Sequence, residues 1–262
     1  MDSANLSDFI TKVKNLKLLA RFPLNERNIE EFLNNQAFNF SLEILSKMEG
    51  SGQDFFYDYL RDYELKDIKN AIYGRTGRFL LFKEGIPAIE EIDEELNNTP
   101  WKEAWKRGYK RYQSNGEKMD IEFNLESEYY SILLNSLNNL YWSDKKVTRE
   151  FLKNWIRLVN RLWYHRLSSN YNLEDFEIKQ YIASRSIIPV DYNKITEIER
   201  PEFNKALYEL CYDSFKEEMF TMASILAFFN IFKIELQRLL AIYNGLKYNI
   251  NTDIIRNIVG EG

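Results

Sequence analysis

The chain has 262 residues and 45% hydrophobic content, enough to fill one large core or several small ones, which excludes a disordered segment. Its net charge of −5 gives no general attraction to nucleic acid or anionic lipid, and a single cysteine, Cys211, excludes an intramolecular disulfide framework and suits a reducing compartment. With only 10 Gly and 5 Pro, few residues punctuate turns and sheets, so the expected fold is all-α.

In chain order, the opening MDSANLSDF lacks the basic and apolar regions of a secretory leader. The stretch YELKDIKNAIYGR from Tyr63 carries Leu65, Ile68 and Ile72 on one helical face, and Gly74 suits a C-terminal cap. Next, GRTGR at 74–78 has two glycines and two arginines but lacks the Lys and Ser/Thr spacing of a P-loop, so it reads as a helix end with exposed arginines. AIEEIDEELNN reads as an acidic, solvated helix. Thr99-Pro100 reads as an N-cap followed by proline at the first helical position.

YQSNGEKMD at 112–120 is expected to be a flexible connection. A tyrosine-rich helix from Leu125 to Leu140 follows, then a long helix with Leu152, Trp155, Ile156, Val159 and Trp163 on one face. After Asn172 a short helix, NLEDFEIKQYI, starts with polar capping residues. The run from Ser186 to Phe203 is extended, and Phe203 to Phe220 is helical. Met219 to Phe232 is apolar but shorter than the about 20 residues a membrane span needs, so it reads as a core helix. IELQRLLAIYNGLK, residues 234–247, places Leu236, Leu239, Leu240 and Tyr243 on one face with Gly245 as its cap, and NTDIIRNIV is a short capped helix from Asn251.

Three of these segments align. Glu235 falls on Glu64, Leu236 on Leu65, Leu239 on Ile68 and Gly245 on Gly74; a looser middle copy puts Arg157 on Glu64 and Leu158 on Leu65. These spacings exceed those of common solenoids and suggest one small helical domain repeated three times. Divisions near residues 107 and 187 give helical repeat domains at 1–107, 108–187 and 188–262.

Reactive chemistry is sparse. His165 is the only histidine, which gives poor support to multi-imidazole zinc sites, Cys-His dyads and Ser-His-Asp triads. Cys211 reads as a packed residue. Glu90, Glu91, Asp93, Glu94 and Glu95 lack the Glu-x-x-His pattern of carboxylate-bridged metal helices and read as a solvent face. No cofactor is expected. The 17 Tyr, 18 Phe and 5 Trp fill a core and leave a surplus suited to docking.

The stretch LESEYYSILLNSL followed by VTREFLKNWIRLVNRLWYHRLS has Ile156, Leu158, Asn160 and Arg166 in place. It resembles the central segment of the socket protein in the central stalk of V-type and A-type (vacuolar and archaeal) rotary ATPases, the family known as d in eukaryotes. IELQRLLAIYNGLKYNINTDIIRNIV is similar to that family's C-terminal copy at Glu235, Leu239, Ile242 and Ile255, with Arg238 and Leu240 departing. YELKDIKNAIYGR resembles its first copy, with Asp67 and Arg75 departing. The similarity covers residues 30 to 260, and the chain is shorter at its start than known members.

The resemblance implies three helical-bundle domains in a pseudo-threefold funnel: a non-catalytic rotor subunit that sits on the membrane proteolipid ring, receives the central stalk and transmits torque. It implies a cytoplasmic location, peripheral to the membrane through the complex, with neither bilayer insertion nor nucleic-acid binding. Arg75, Arg78, Arg166 and Lys247, at polar helix ends, are the candidate stalk contacts. An α-helical enzyme using a buried carboxylate pair and a generic protein-binding scaffold are the alternatives.

Overall fold

In the computed structural model, the structure describes residues 29–75, 88–171, 173–191, 195–217 and 219–259. The regular structure is helical throughout and no strand occurs among the described residues, as the scarcity of Gly and Pro predicts. The helices are α1 (Ile29–Leu45), α2 (Gly50–Ile72), α3 (Ile92–Glu95), α4 (Lys102–Asn115), α5 (Met119–Ser136), α6 (Trp142–Tyr171), α7 (Asp175–Arg185), α8 (Arg200–Glu217), α9 (Met222–Lys247) and α10 (Thr252–Val259). A short 3-10 turn, Leu137–Asn139, joins α5 to α6.

The chain forms two compact units. One comprises Met48–Glu197; the other combines Met1–Lys47 with Ile198–Gly262. The division expected near residue 107 falls inside α4, and that near 187 falls in the irregular stretch after α7.

In the Met48–Glu197 unit, α2 and α5 run antiparallel. Tyr129 near the end of α5 donates to the Tyr59 carbonyl at 3.0 Å, while Tyr73 after the end of α2 reaches Glu122 near the start of α5. The segment expected to be a flexible loop at 112–120 is instead a tight connection of Gly116 to Lys118. Gly116 adopts φ 75 and donates to the Tyr112 carbonyl at 2.7 Å, and the Asn115 side chain donates to buried Asp120 at 3.0 Å. Polarity alone suggested mobility; the left-handed glycine and the Asn–Asp bond remove it.

Gly108 lets the helices on either side of this turn close on each other. A Cβ there would sit 2.6 Å from the Ile121 Cα, so α4 and α5 meet backbone to backbone. Thr99 does not cap α4 as expected. Its hydroxyl donates to the Leu96 carbonyl at 2.8 Å and accepts from Trp101 N–H at 3.3 Å, closing the turn before the helix, which begins at Lys102. Phe123 of α5 packs edge-on against Trp163 of α6 at 4.8 Å and Tyr181 of α7 at 5.2 Å, within a core that includes Leu167, Ile178 and Ile182. A capping box starts α7, with Glu174 and Glu177 exchanging backbone bonds; Asn172 lies outside the described residues.

In the other unit, α9 is flanked by α1, α8 and α10. Ile29, Leu33 and Ala37 of α1 meet Leu236 and Tyr243 of α9, and Phe40 touches the rings of Phe228, Phe229 and Phe232 at 5.5 to 6.1 Å. Thr221 caps α9 by accepting from Ser224 N–H at 3.2 Å, and Asn251 caps α10 by accepting from Asp253 N–H at 2.8 Å. Cys211 of α8 is fully buried, and burial pushes its thiol up to about 12.

The ends of α2 and α9 qualify the repeat. Gly74, at φ 65, closes α2 with bonds from Gly74 N–H to Ala71 O and Arg75 N–H to Asn70 O. The same double bond closes α9, but its left-handed residue is Asn249, at φ 53, with Asn249 N–H to Leu246 O and Ile250 N–H to Gly245 O. Gly245 is therefore not the cap that its alignment with Gly74 suggests. It lies inside the helix one turn earlier, where a Cβ would meet the Ile255 side chain of α10 at 2.3 Å. In the middle copy the helix simply continues, since α6 runs on to Tyr171.

Candidate functional site

The three aligned positions occupy different surroundings. Glu64 is buried and accepts from the Trp101 indole at 2.8 Å and Arg61 at 3.0 Å. Arg157 is exposed and bonds Asn154 at 2.7 Å, and Glu235 is half-exposed with Arg238 at 2.8 Å.

Titratable groups converge elsewhere, where α2, α5 and α6 meet. Glu122 and Glu126 stand one turn apart on α5, at positions where the helical period of Met119, Phe123 and Tyr130 faces the core. Arg166 of α6 bridges them, with Nη2 donating to Glu122 Oε2 at 2.8 Å and Nη1 lying 3.8 Å from Glu126 Oε1. Its guanidinium also stacks 4.1 Å over the Trp163 ring. From α2, Lys69 donates to Glu126 and Tyr73 to Glu122, and the Trp163 indole N–H donates to the remaining Glu126 oxygen. Lys118 completes the edge by donating to the Ile72 carbonyl at 2.8 Å and lying 4.9 Å over the Tyr73 ring.

The electrostatics fix the protonation states. Burial pushes Glu126 upward, but Lys69 and Arg166 outweigh it, and the net shift is downward. For Arg166, burial opposes the charge and the two carboxylates more than compensate, raising its pKa. Tyr73 is raised by burial and by its bond to Glu122, so it keeps its proton. Two carboxylates and two cations thus balance, with every participant engaged. At neutral pH this arrangement holds no proton ready to move, and its chemical capacity is that of a clasp joining three helices.

Beside the clasp is a shallow depression of about 260 Å³, partly open to solvent, bordered by Glu126, Phe123, Tyr130, Asn160, Trp163 and Ser186. The Asn160 amide donates to the Ser186 hydroxyl at 2.9 Å across its floor.

His165 lies near Ser169 and Glu197, an order that invites comparison with a hydrolytic triad. The serine oxygen is 3.4 and 3.5 Å from the two ring nitrogens, so it lies across the ring and aligns with neither; Glu197 is 3.5 Å from Nδ1. All three sit at the surface, and the Ser169 amide is inside α6 and offers no oxyanion donor. Among the described residues no group of three His, Cys, Asp or Glu is placed to hold a metal ion, and no helix is long and apolar enough to cross a membrane.

The expected contact residues fare differently. Arg75 is exposed, 6.0 Å over the Tyr73 ring, and Lys247 is half-exposed, 5.3 Å over the Tyr248 ring. Each follows or ends a helix closed by the paired backbone bonds of a left-handed cap. Arg166 is held within its own fold by the clasp, and Arg78 lies outside the described residues. Sequence reasoning missed Glu122, Glu126, Lys69 and Tyr73. The available signal was a pair of acids in register with the core-facing residues of α5, where the helical period calls for apolar side chains.

No protein-family model, no curated protein and no solved structure matches the chain.

Proposed function

We propose that this protein works by contact: it is a non-catalytic helical docking piece. The observation that carries this reading is the clasp. Its two buried carboxylates are the acids best placed for chemistry, and both are committed to Arg166, Lys69, Tyr73 and Trp163. Support also comes from large side chains left on the surface of each unit. Tyr141, Trp142 and Phe176 are 83%, 78% and 73% exposed in one, and Phe220 and Tyr248 are 99% and 67% exposed in the other.

In its sharpest form the proposal is a rotor subunit of a vacuolar- or archaeal-type rotary ATPase, a three-part socket that joins the central stalk to the proteolipid ring and passes torque between them. That form rests on the sequence resemblance of the three segments alone. A stiff interior suits the role, because torque passes through packed helices without loss only if they do not yield. Arg75 and Lys247 are the stalk contacts in this reading; Arg166 belongs to the clasp instead.

The test is binding of the purified chain to purified central-stalk subunits and to the isolated proteolipid ring. Saturable binding to both supports the rotor form. Binding to neither removes it and leaves the docking reading to be pursued with other partners.

A further inference from the structure

Helix α8 has two apolar faces. Phe203, Leu207 and Cys211 are buried in its own unit. The opposite side carries Lys205, Tyr208, Glu209, Tyr212, Phe215 and Lys216, with Met219 in the turn beyond the helix. Tyr212, Phe215 and Met219 are 46%, 44% and 61% exposed. Tyr208, Tyr212, Phe215 and Met219 succeed one another at alternating steps of four and three, which is the seam of a coiled coil lying on the solvent side. The seam is already ordered: the rings of Tyr208 and Tyr212 stack at 6.4 Å, Lys216 lies 4.5 Å over Tyr212, and Arg238 of α9 lies 5.0 Å over Tyr208.

The charges beside the seam say what fits it. Glu209 and Lys216 occupy the same flank two turns apart, and neither forms an ion pair among the described residues. An antiparallel copy of α8, related by a twofold axis near Asp213, sets Tyr212 against Phe215 of the second copy and Tyr208 against its Met219. The same operation brings Glu209 opposite Lys216 of the second copy, and symmetry repeats the pair. In antiparallel coiled coils this flank faces its own equivalent, so opposite charges two turns apart match themselves. A parallel pairing puts each residue level with its own counterpart and forfeits the match.

We propose that the outward seam of α8 is a homodimer interface, occupied by α8 of a second copy in antiparallel orientation. The inference stands on the seam and its charges and is independent of the rotor reading.

Sedimentation of the full chain up to about millimolar concentration tests it, with Glu209→Lys, Lys216→Glu and the combined variant. Both positions are exposed, so circular dichroism should show unaltered helix content. The expected result is a reversible dimer whose dissociation constant rises about tenfold in each single reversal and returns to within about threefold in the combination. A monomer at every concentration overturns the proposal. So does a dimer indifferent to the single reversals, or one that the combination fails to restore.

Discussion

Arg166 donates to Glu122 at 2.8 Å from one helix to the next, and the carboxylate it reaches is only 4% accessible. Removing the guanidinium would strand that charge, and Glu126 beside it, with Lys69 as the clasp's remaining cation. Arg166→Leu is therefore expected to lower stability by about 2–4 kcal/mol, since breaking a buried pair costs far more than the pair contributes net. Urea unfolding checks it; a loss within about 0.5 kcal/mol would mean the clasp is not holding α5 to α6.

Acid should open the same clasp. The folded pKa of Glu126 lies below its ordinary value of 4.5, so its contribution is fully present above that value and is lost as pH falls through the folded pKa. Lys69 and Arg166 remain charged across that window and do not offset the loss. Stability of the native chain should drop below about pH 4.5, and Glu126→Gln should show a flatter acid limb from a lower starting point. Equal slopes in thermal melts between about pH 5 and 3 would assign the acid transition to other carboxylates.

Glycines separate two kinds of cost. Gly74→Ala meets nothing within 4 Å but must hold φ 65, and is expected to cost about 1 kcal/mol. Gly108→Ala drives a methyl into the backbone of Ile121 at 2.6 Å and should cost about 3 kcal/mol as α4 and α5 are pushed apart. Denaturant midpoints give the order directly, and a reversed order would contradict the close approach of these two helices.

Cys211 reports on α8. Its thiol is fully buried and raised to about 12, so a disulfide reagent at neutral pH should react only as the unit opens. Its rate should match that of global unfolding. Fast labelling of the folded chain would show that α8 leaves its core independently.

Much of the fold was legible. Periodicity placed the long helices because their apolar faces are buried: Leu65, Ile68, Leu152, Ile156 and Trp163 all lie in cores. Boundaries were harder. Gly245 looked like a cap because glycine usually provides one, whereas its missing Cβ makes room for Ile255 and an asparagine takes the left-handed position. The site was hidden for a different reason. Glu122 and Glu126 face partners distant in sequence on α2 and α6, so only the fold reveals that Lys69 and Arg166 neutralise them. Arg166, judged by its position near a helix end, instead points into that clasp.

The central claim, that the chain serves as a coupling part, is tested most directly by tagging it in its native cell, releasing it from membranes with mild detergent and identifying what accompanies it. The account predicts central-stalk and proteolipid-ring subunits of a rotary ATPase in fixed stoichiometry, with release of the stalk in an Arg75→Glu, Lys247→Glu variant that remains folded. Recovery of the folded chain with none of these subunits would contradict it.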